Sequence, residues 1–104
     1  MQIKRLDNLL QMLEQQPEDA FLLYAIGLEY GSAGEKLLAR DFFEKLLNNQ
    51  PEYLPVYYQA GLLQIELGNL VEARSILEKG MALAKSQKDM KTWHELEGVL
   101  EELD

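Results

Sequence analysis

Pro17 and Pro51 stand 34 residues apart. Shifting the chain by that interval lays Pro17, Glu18, Tyr24, Gly27, Leu28, Gly34, Ala39, Arg40, Glu44 and Lys45 on Pro51, Glu52, Tyr58, Gly61, Leu62, Gly68, Ala73, Arg74, Glu78 and Lys79. A fixed period of this length marks a stacked array, in which each unit is one supersecondary element that cannot bury its apolar face alone. The period therefore constrains the architecture before any single residue does.

Apolar positions within each period follow helical spacing. Ile3, Leu6, Leu9, Leu10 and Leu13 form one stripe over residues 2–15, and Gly34 and Gly68 fall where a glycine can close a helix in the left-handed conformation. Pro17 followed by Glu18 and Asp19 predicts the start of a second helix, and Pro51-Glu52 repeats it. Asn69 with Glu72 three residues on reads as a capping box. Gly27 is expected to face Ala39, and Gly61 to face Ala73, as small residues letting two helices approach. A last helix from about Asp89 to Leu103 carries Trp93, Leu96, Leu100 and Leu103, after a lengthened connection at Ser86-Gln87-Lys88. About six helices account for nearly the whole chain, and no β-strand is expected.

The repeating residues also carry a resemblance. Leu23, Ile26, Gly27, Tyr30, Ala39, Phe43 and Pro51 match the tetratricopeptide pattern of a large residue, a Leu-Gly pair, Tyr, Ala, Phe and a closing Pro. The second unit reads Tyr57, Ala60, Gly61, Gln64, Ala73 and Leu77, departing where Gln64 replaces Tyr and no Pro follows the second helix. The chain thus resembles the tetratricopeptide repeat family. The resemblance implies an all-α, antiparallel helix-turn-helix solenoid forming a single domain over 1–104. Its parts are an N-terminal capping helix at 1–16, one repeat at 17–50, a second at 51–86 and a C-terminal capping helix at 87–104.

Composition bears on function by exclusion. Ten Lys and Arg against 18 Asp and Glu leave a net charge of −8, which repels phosphate backbones and anionic membranes. Neither nucleic acid nor a membrane is an expected partner. The chain has no cysteine, so it can build neither a disulfide nor a thiolate metal site, and a cytoplasmic location is the expectation. One histidine, His94, and no Gly-rich phosphate loop leave no catalytic constellation, metal site or cofactor site to propose. The carboxylates Glu18-Asp19 and Glu101-Glu102 are sequence neighbours that point in different directions, and read as solvated charges.

In tetratricopeptide arrays the first helix of each repeat lines a concave groove. The residues here in that phase are Phe21, Tyr24, Leu28 and Gly31, then Pro55, Tyr58, Leu62 and Ile65. From Ala20 to Tyr30 the one charged residue is Glu29, so that helix is apolar nearly all round and is either covered or meant for a partner. No Lys or Arg occurs from Leu6 to Glu35 or from Leu46 to Ala73. Family members that grip acidic carboxyl tails use a clamp of Lys, Asn and Arg. The corresponding places here are Tyr24, Leu28, Gln59, Lys91 and Glu95, so the clamp is not carried over. The expectation is a non-enzymatic interaction module with an apolar, acid-rimmed groove for a peptide or amphipathic helix that is neutral or basic with apolar anchors. The alternative is a homodimer or larger homo-oligomer that buries the same stripe.

Overall fold

A computed structural model describes the chain from residue 3 to residue 104, with side chains from Lys4 onward. The expected start of the first helix at residue 2 and the side chain of Ile3 lie outside the described part. Six helices follow one another: α1 (Ile3–Gln15), α2 (Ala20–Ser32), α3 (Lys36–Asn49), α4 (Pro55–Glu66), α5 (Leu70–Ser86) and α6 (Met90–Leu103). Among the described residues there is no strand. The fold is all-α, as the helical spacing of the apolar residues required. Two compact units divide the chain, one ending at Tyr53 and the other running from Leu54 to Asp104.

In the first unit α2 packs on α1 and on α3. Its core is Leu22, Leu23, Ala25 and Ile26 of α2 with Leu6 of α1 and Ala39, Phe43 and Leu46 of α3. The pairing expected between Gly27 and Ala39 is not what the backbone makes. A Cβ on Gly27 would lie 2.5 Å from Cε1 of Phe43, so the bare glycine backbone receives a large ring. The small-against-small contact belongs one turn later, where a Cβ on Gly31 would meet Ala39 Cβ at 3.9 Å.

The second unit repeats this device and adds to it. Helices α4 and α5 pack together, and α6 packs on both. Val56, Tyr57, Ala60, Leu63, Ala73, Ile76, Leu77, Ala84, Leu96 and Val99 are buried. A Cβ on Gly61 would stand 2.5 Å from Leu77 Cδ2, so here too the glycine admits a large side chain rather than the expected Ala73. Gly80, which the period does not mark, brings three helices together: a Cβ there would meet Tyr57 Cβ at 2.7 Å and Leu96 Cδ1 at 3.1 Å. The buried face of α6 is Leu96 and Val99, with Trp93, Leu100 and Leu103 half-buried beside it.

Helix starts differ from the proline reading. Pro17 and Pro51 lie in turns, and α2 and α4 begin three to four residues later, at Ala20 and Pro55. Asp19 is the reason at α2: its Oδ1 accepts a hydrogen bond from the Leu22 N–H at 2.9 Å, satisfying a donor that the first turn leaves open. At α4 the first-turn proline is Pro55, whose missing N–H costs nothing there. The capping box at Asn69 does not form either. Asn69 makes no side-chain cap bond. Its Nδ2 donates instead to Oε1 of buried Gln64 at 2.8 Å, because a buried amide oxygen without a donor is the costlier vacancy.

Three turns share one closing pattern. The N–H of Glu35, Asn69 and Asp89 bonds back to the carbonyls of Tyr30, Gln64 and Ala84 at 2.9, 2.8 and 2.9 Å. Such a six-to-one bond requires the preceding residue to be left-handed. Gly34 and Gly68 take it at φ 83°, and Lys88 takes it at φ 61°. The connection expected to be lengthened at Ser86-Gln87-Lys88 is therefore an ordinary three-residue turn, Gln87 to Asp89. The extra residues extend α5, which has 17 against 14 in α3. Asp89 then caps α6, accepting from the Thr92 N–H at 3.0 Å and the Thr92 hydroxyl at 2.9 Å, and these bonds hold its carboxyl below the ordinary 3.8.

Two stability measurements test this account. Gly27→Ala and Gly61→Ala should each lower unfolding free energy by about 1–2 kcal/mol, since overpacking a buried contact outweighs the gain in helix propensity. Gly98→Ala, with nothing within 4 Å of the new Cβ, is the control and should be neutral or stabilising. Lys88→Gly should raise stability by about 0.5–1 kcal/mol by removing left-handed strain, read as a shift of the thermal or denaturant midpoint. An unchanged midpoint for Gly27→Ala would overturn the close-approach reading.

Candidate functional site

Helix α2 is apolar all round, and the core takes only part of its surface. Leu22, Leu23, Ala25, Ile26 and Gly27 are buried, while Tyr24, Leu28 and Gly31 are half-buried and Phe21 is 62% exposed. Its single charged residue, Glu29, is paired: Arg5 Nε of α1 stands 2.9 Å from Glu29 Oε1. Glu29 thus ties α1 to α2 and does not serve as a rim carboxylate. Phe21, one turn before Tyr24, is the large apolar side chain that α2 leaves open to solvent.

Tyr24 sits between two rings. Its centroid lies 6.3 Å from that of Phe43 in the core and 5.7 Å from that of Tyr53, the latter at an interplanar angle of 62°. Tyr53 was not among the residues the period and helical phase single out. It lies in the turn after Pro51, outside any helix, where neither argument applies. What brings it to Tyr24 is the joining of two turns, since Gln50 Nε2 donates to the Glu18 carbonyl at 2.7 Å. Burial pushes the phenol of Tyr24 above its ordinary 10.0, with the neighbouring Tyr53 adding to it. Burial likewise raises Tyr53, and the charge of Asp19 contributes.

In the second unit the corresponding face of α4 presents Pro55, which is exposed, and Tyr58, Leu62 and Ile65, which are half-buried. Gln64 points inward to Asn69, taking the position that Tyr30 takes in the first unit, where its ring stacks on Phe42 at 5.7 Å. The structure thus gives each of α2 and α4 its own partly open apolar face.

A second exposed apolar set lies outside the expected faces. Leu37 and Val71, at 59% and 88% exposure, open α3 and α5 and are 34 residues apart, and Leu38 and Leu70 beside them are exposed as well. The period could have found this pair, since it places Leu37 on Val71, but helical phase assigns both to the outward side of the second helices.

His94 is exposed, 3.7 Å from Glu97 Oε1 and edge-on to Trp93 with centroids 5.0 Å apart. Among the described residues no group of three or more His, Asp or Glu is placed to hold a metal ion. No described helix is long and apolar enough to cross a membrane.

Comparison with known proteins agrees with this geometry. Residues 54–87, which hold α4, α5 and the turn between them, match a family model described as tetratricopeptide repeat. Over 99 residues the chain is 26% identical to a tetratricopeptide repeat-containing protein of Pseudomonas aeruginosa, spanning 95% of this chain and 94% of that one. It resembles the crystal structure of a tetratricopeptide repeat domain protein from Salinibacter ruber with a TM-score of 0.79 and 27% identity, over 83% of this chain and 96% of that one. It also resembles the solution structure of a Bordetella parapertussis protein with a TM-score of 0.81 and 26% identity, over 94% and 85% of the two chains.

The phenols yield a pH test. A raised folded pKa means the neutral phenol is favoured by the fold, so the stability tied to Tyr24 and Tyr53 is complete below 10.0 and is lost as pH rises through the folded value. Thermal midpoints should therefore fall on the alkaline side of pH 10. Tyr24→Phe and Tyr53→Phe should each flatten that fall, and tyrosinate absorbance should lose its late-titrating component; a wild-type alkaline limb in both variants would refute the assignment.

Proposed function

We propose that this chain is a non-enzymatic interaction module for a peptide or amphipathic helix, as its likeness to tetratricopeptide repeat proteins, a class that generally binds other proteins, suggests. The apolar faces of α2 and α4 are the binding surfaces, with Phe21, Tyr24 and Leu28 on the first and Pro55, Tyr58, Leu62 and Ile65 on the second. The observation that carries this reading is Phe21, exposed on the expected face of a helix whose one charge is already paired with Arg5. A monomer rarely leaves a large aromatic in water beside further half-covered rings without a use for it.

The rim selects the partner's charge. Glu18, Asp19 and Glu52 flank these helices, and the stretches from Leu6 to Glu35 and from Leu46 to Ala73 contain no Lys or Arg. A neutral or basic segment with apolar anchors is therefore favoured, and an acidic tail is repelled. The sequence's lack of cysteine suits a cytoplasmic setting. Self-association through the same faces draws on the same exposed Phe21, and a concentration-independent dimer on sizing would favour it.

Selection of binders from a displayed peptide library, followed by calorimetry on the full chain, tests the module. Tyr24→Ala should weaken peptides bound on the α2 face, and Tyr58→Ala those bound on the α4 face, by about 1–3 kcal/mol with helicity retained. Neutralising Glu18 or Glu52 should chiefly slow association and reduce its salt dependence. Selected peptides that bind both tyrosine variants normally would remove these faces from consideration.

A further inference from the structure

The aromatic surface of the first unit is more specific than an apolar strip. Phe21 is exposed, Tyr24 and Tyr53 stand edge to face with centroids 5.7 Å apart, and both tyrosines are half-buried. Asp19 adjoins them. Its Oδ1 caps α2, while its second oxygen is not needed by the cap, and its charge is felt at the Tyr53 phenol. The bond from Gln50 Nε2 to the Glu18 carbonyl holds the two turns side by side, so the ring pair and the carboxylate are fixed by the fold.

From these contacts we propose that Phe21, Tyr24, Tyr53 and Asp19 form a subsite for an arginine side chain of a protein partner. The inference rests on the interaction-module reading only in taking the ligand to be part of a protein. Ring faces attract a cation through their quadrupole, and a guanidinium is weakly hydrated, planar and able to stack on a ring while donating to a carboxylate. At the edge of the face beside Asp19, a guanidinium replaces the hydrogen bonds that the carboxylate gives up on losing water, which an uncharged apolar group there would not do. The positive end of the α2 dipole works against a cation, but Glu18 and Asp19 together exceed its half charge. No Lys or Arg between Leu6 and Glu35 or between Leu46 and Ala73 supplies that cation from the same stretches of chain.

The probe is the tripeptide acetyl-Gly-Arg-Gly-amide, titrated into the full chain, with the citrulline tripeptide as its neutral counterpart of nearly the same shape. Saturable shifts of the Tyr24 and Tyr53 ring resonances are expected with the arginine probe alone. Asp19→Asn keeps a capping oxygen and removes the charge, and Tyr53→Leu removes a ring; each should weaken the probe about 2- to 5-fold with unchanged helicity. The absence of a saturable shift, equal shifts from both tripeptides, or full affinity in both variants would overturn the subsite. The two proposals fail separately. Library peptides lost on Tyr24→Ala alongside a silent arginine probe would leave the module and remove the subsite, whereas the reverse pattern would leave the subsite and remove the apolar faces.

Discussion

Everything in each unit depends on how closely two helices approach at a glycine. At Gly27 the backbone of α2 comes so near α3 that a single methyl group would collide with the Phe43 ring, and at Gly61 the same is true of α4 and Leu77. The glycine does not let two small residues meet; it lets a large buried side chain lie flat on bare backbone, which removes more apolar surface from water than a small pair could. Ala39 and Ala73 are both buried, and Ala39 lies within reach of Gly31 one turn on.

The turns show how one backbone requirement is met by different residues. Gly34 and Gly68 adopt the left-handed conformation at little steric cost, and Lys88 adopts it against its own preference. Lys88 tolerates the strain because the bond from the Asp89 N–H to the Ala84 carbonyl and the Asp89 cap on Thr92 both depend on the turn closing there. A similar exchange occurs at Gln64 and Asn69. The glutamine that replaces an aromatic residue is buried, and the asparagine that would have capped α5 is drawn to satisfy it.

The proposed binding faces lie where the packing leaves helix surface over. Helix α2 has more apolar surface than α1 and α3 cover, and its one charge is paired with Arg5, so the helix itself adds no unpaired charge to the face carrying Phe21. The acidic residues lie around that face in the adjoining turns. Such a division, apolar centre and anionic margin, is what gives an interaction surface affinity from burial and selectivity from charge.

The repeat and the all-α fold were legible in the residues alone, because a 34-residue period and a 3.6-residue apolar rhythm are both properties of order along the chain. Gly34 and Gly68 were legible for the same reason: a helix that must end and reverse within three residues needs a left-handed position, and glycine provides it locally. What lies across the chain was not. Sequence spacing cannot say that Gly27 meets Phe43, that Gly80 gathers Tyr57 and Leu96, that Glu29 is claimed by Arg5, or that Tyr53 comes to Tyr24 through the Gln50–Glu18 bond. Nor could it say that Asp19, rather than Pro17, opens α2, since both residues suit a first turn and only the realised hydrogen bond to Leu22 chooses between them. Periodicity determines which side of a helix turns inward; distance and hydrogen-bond competition in three dimensions decide which partner it finds there.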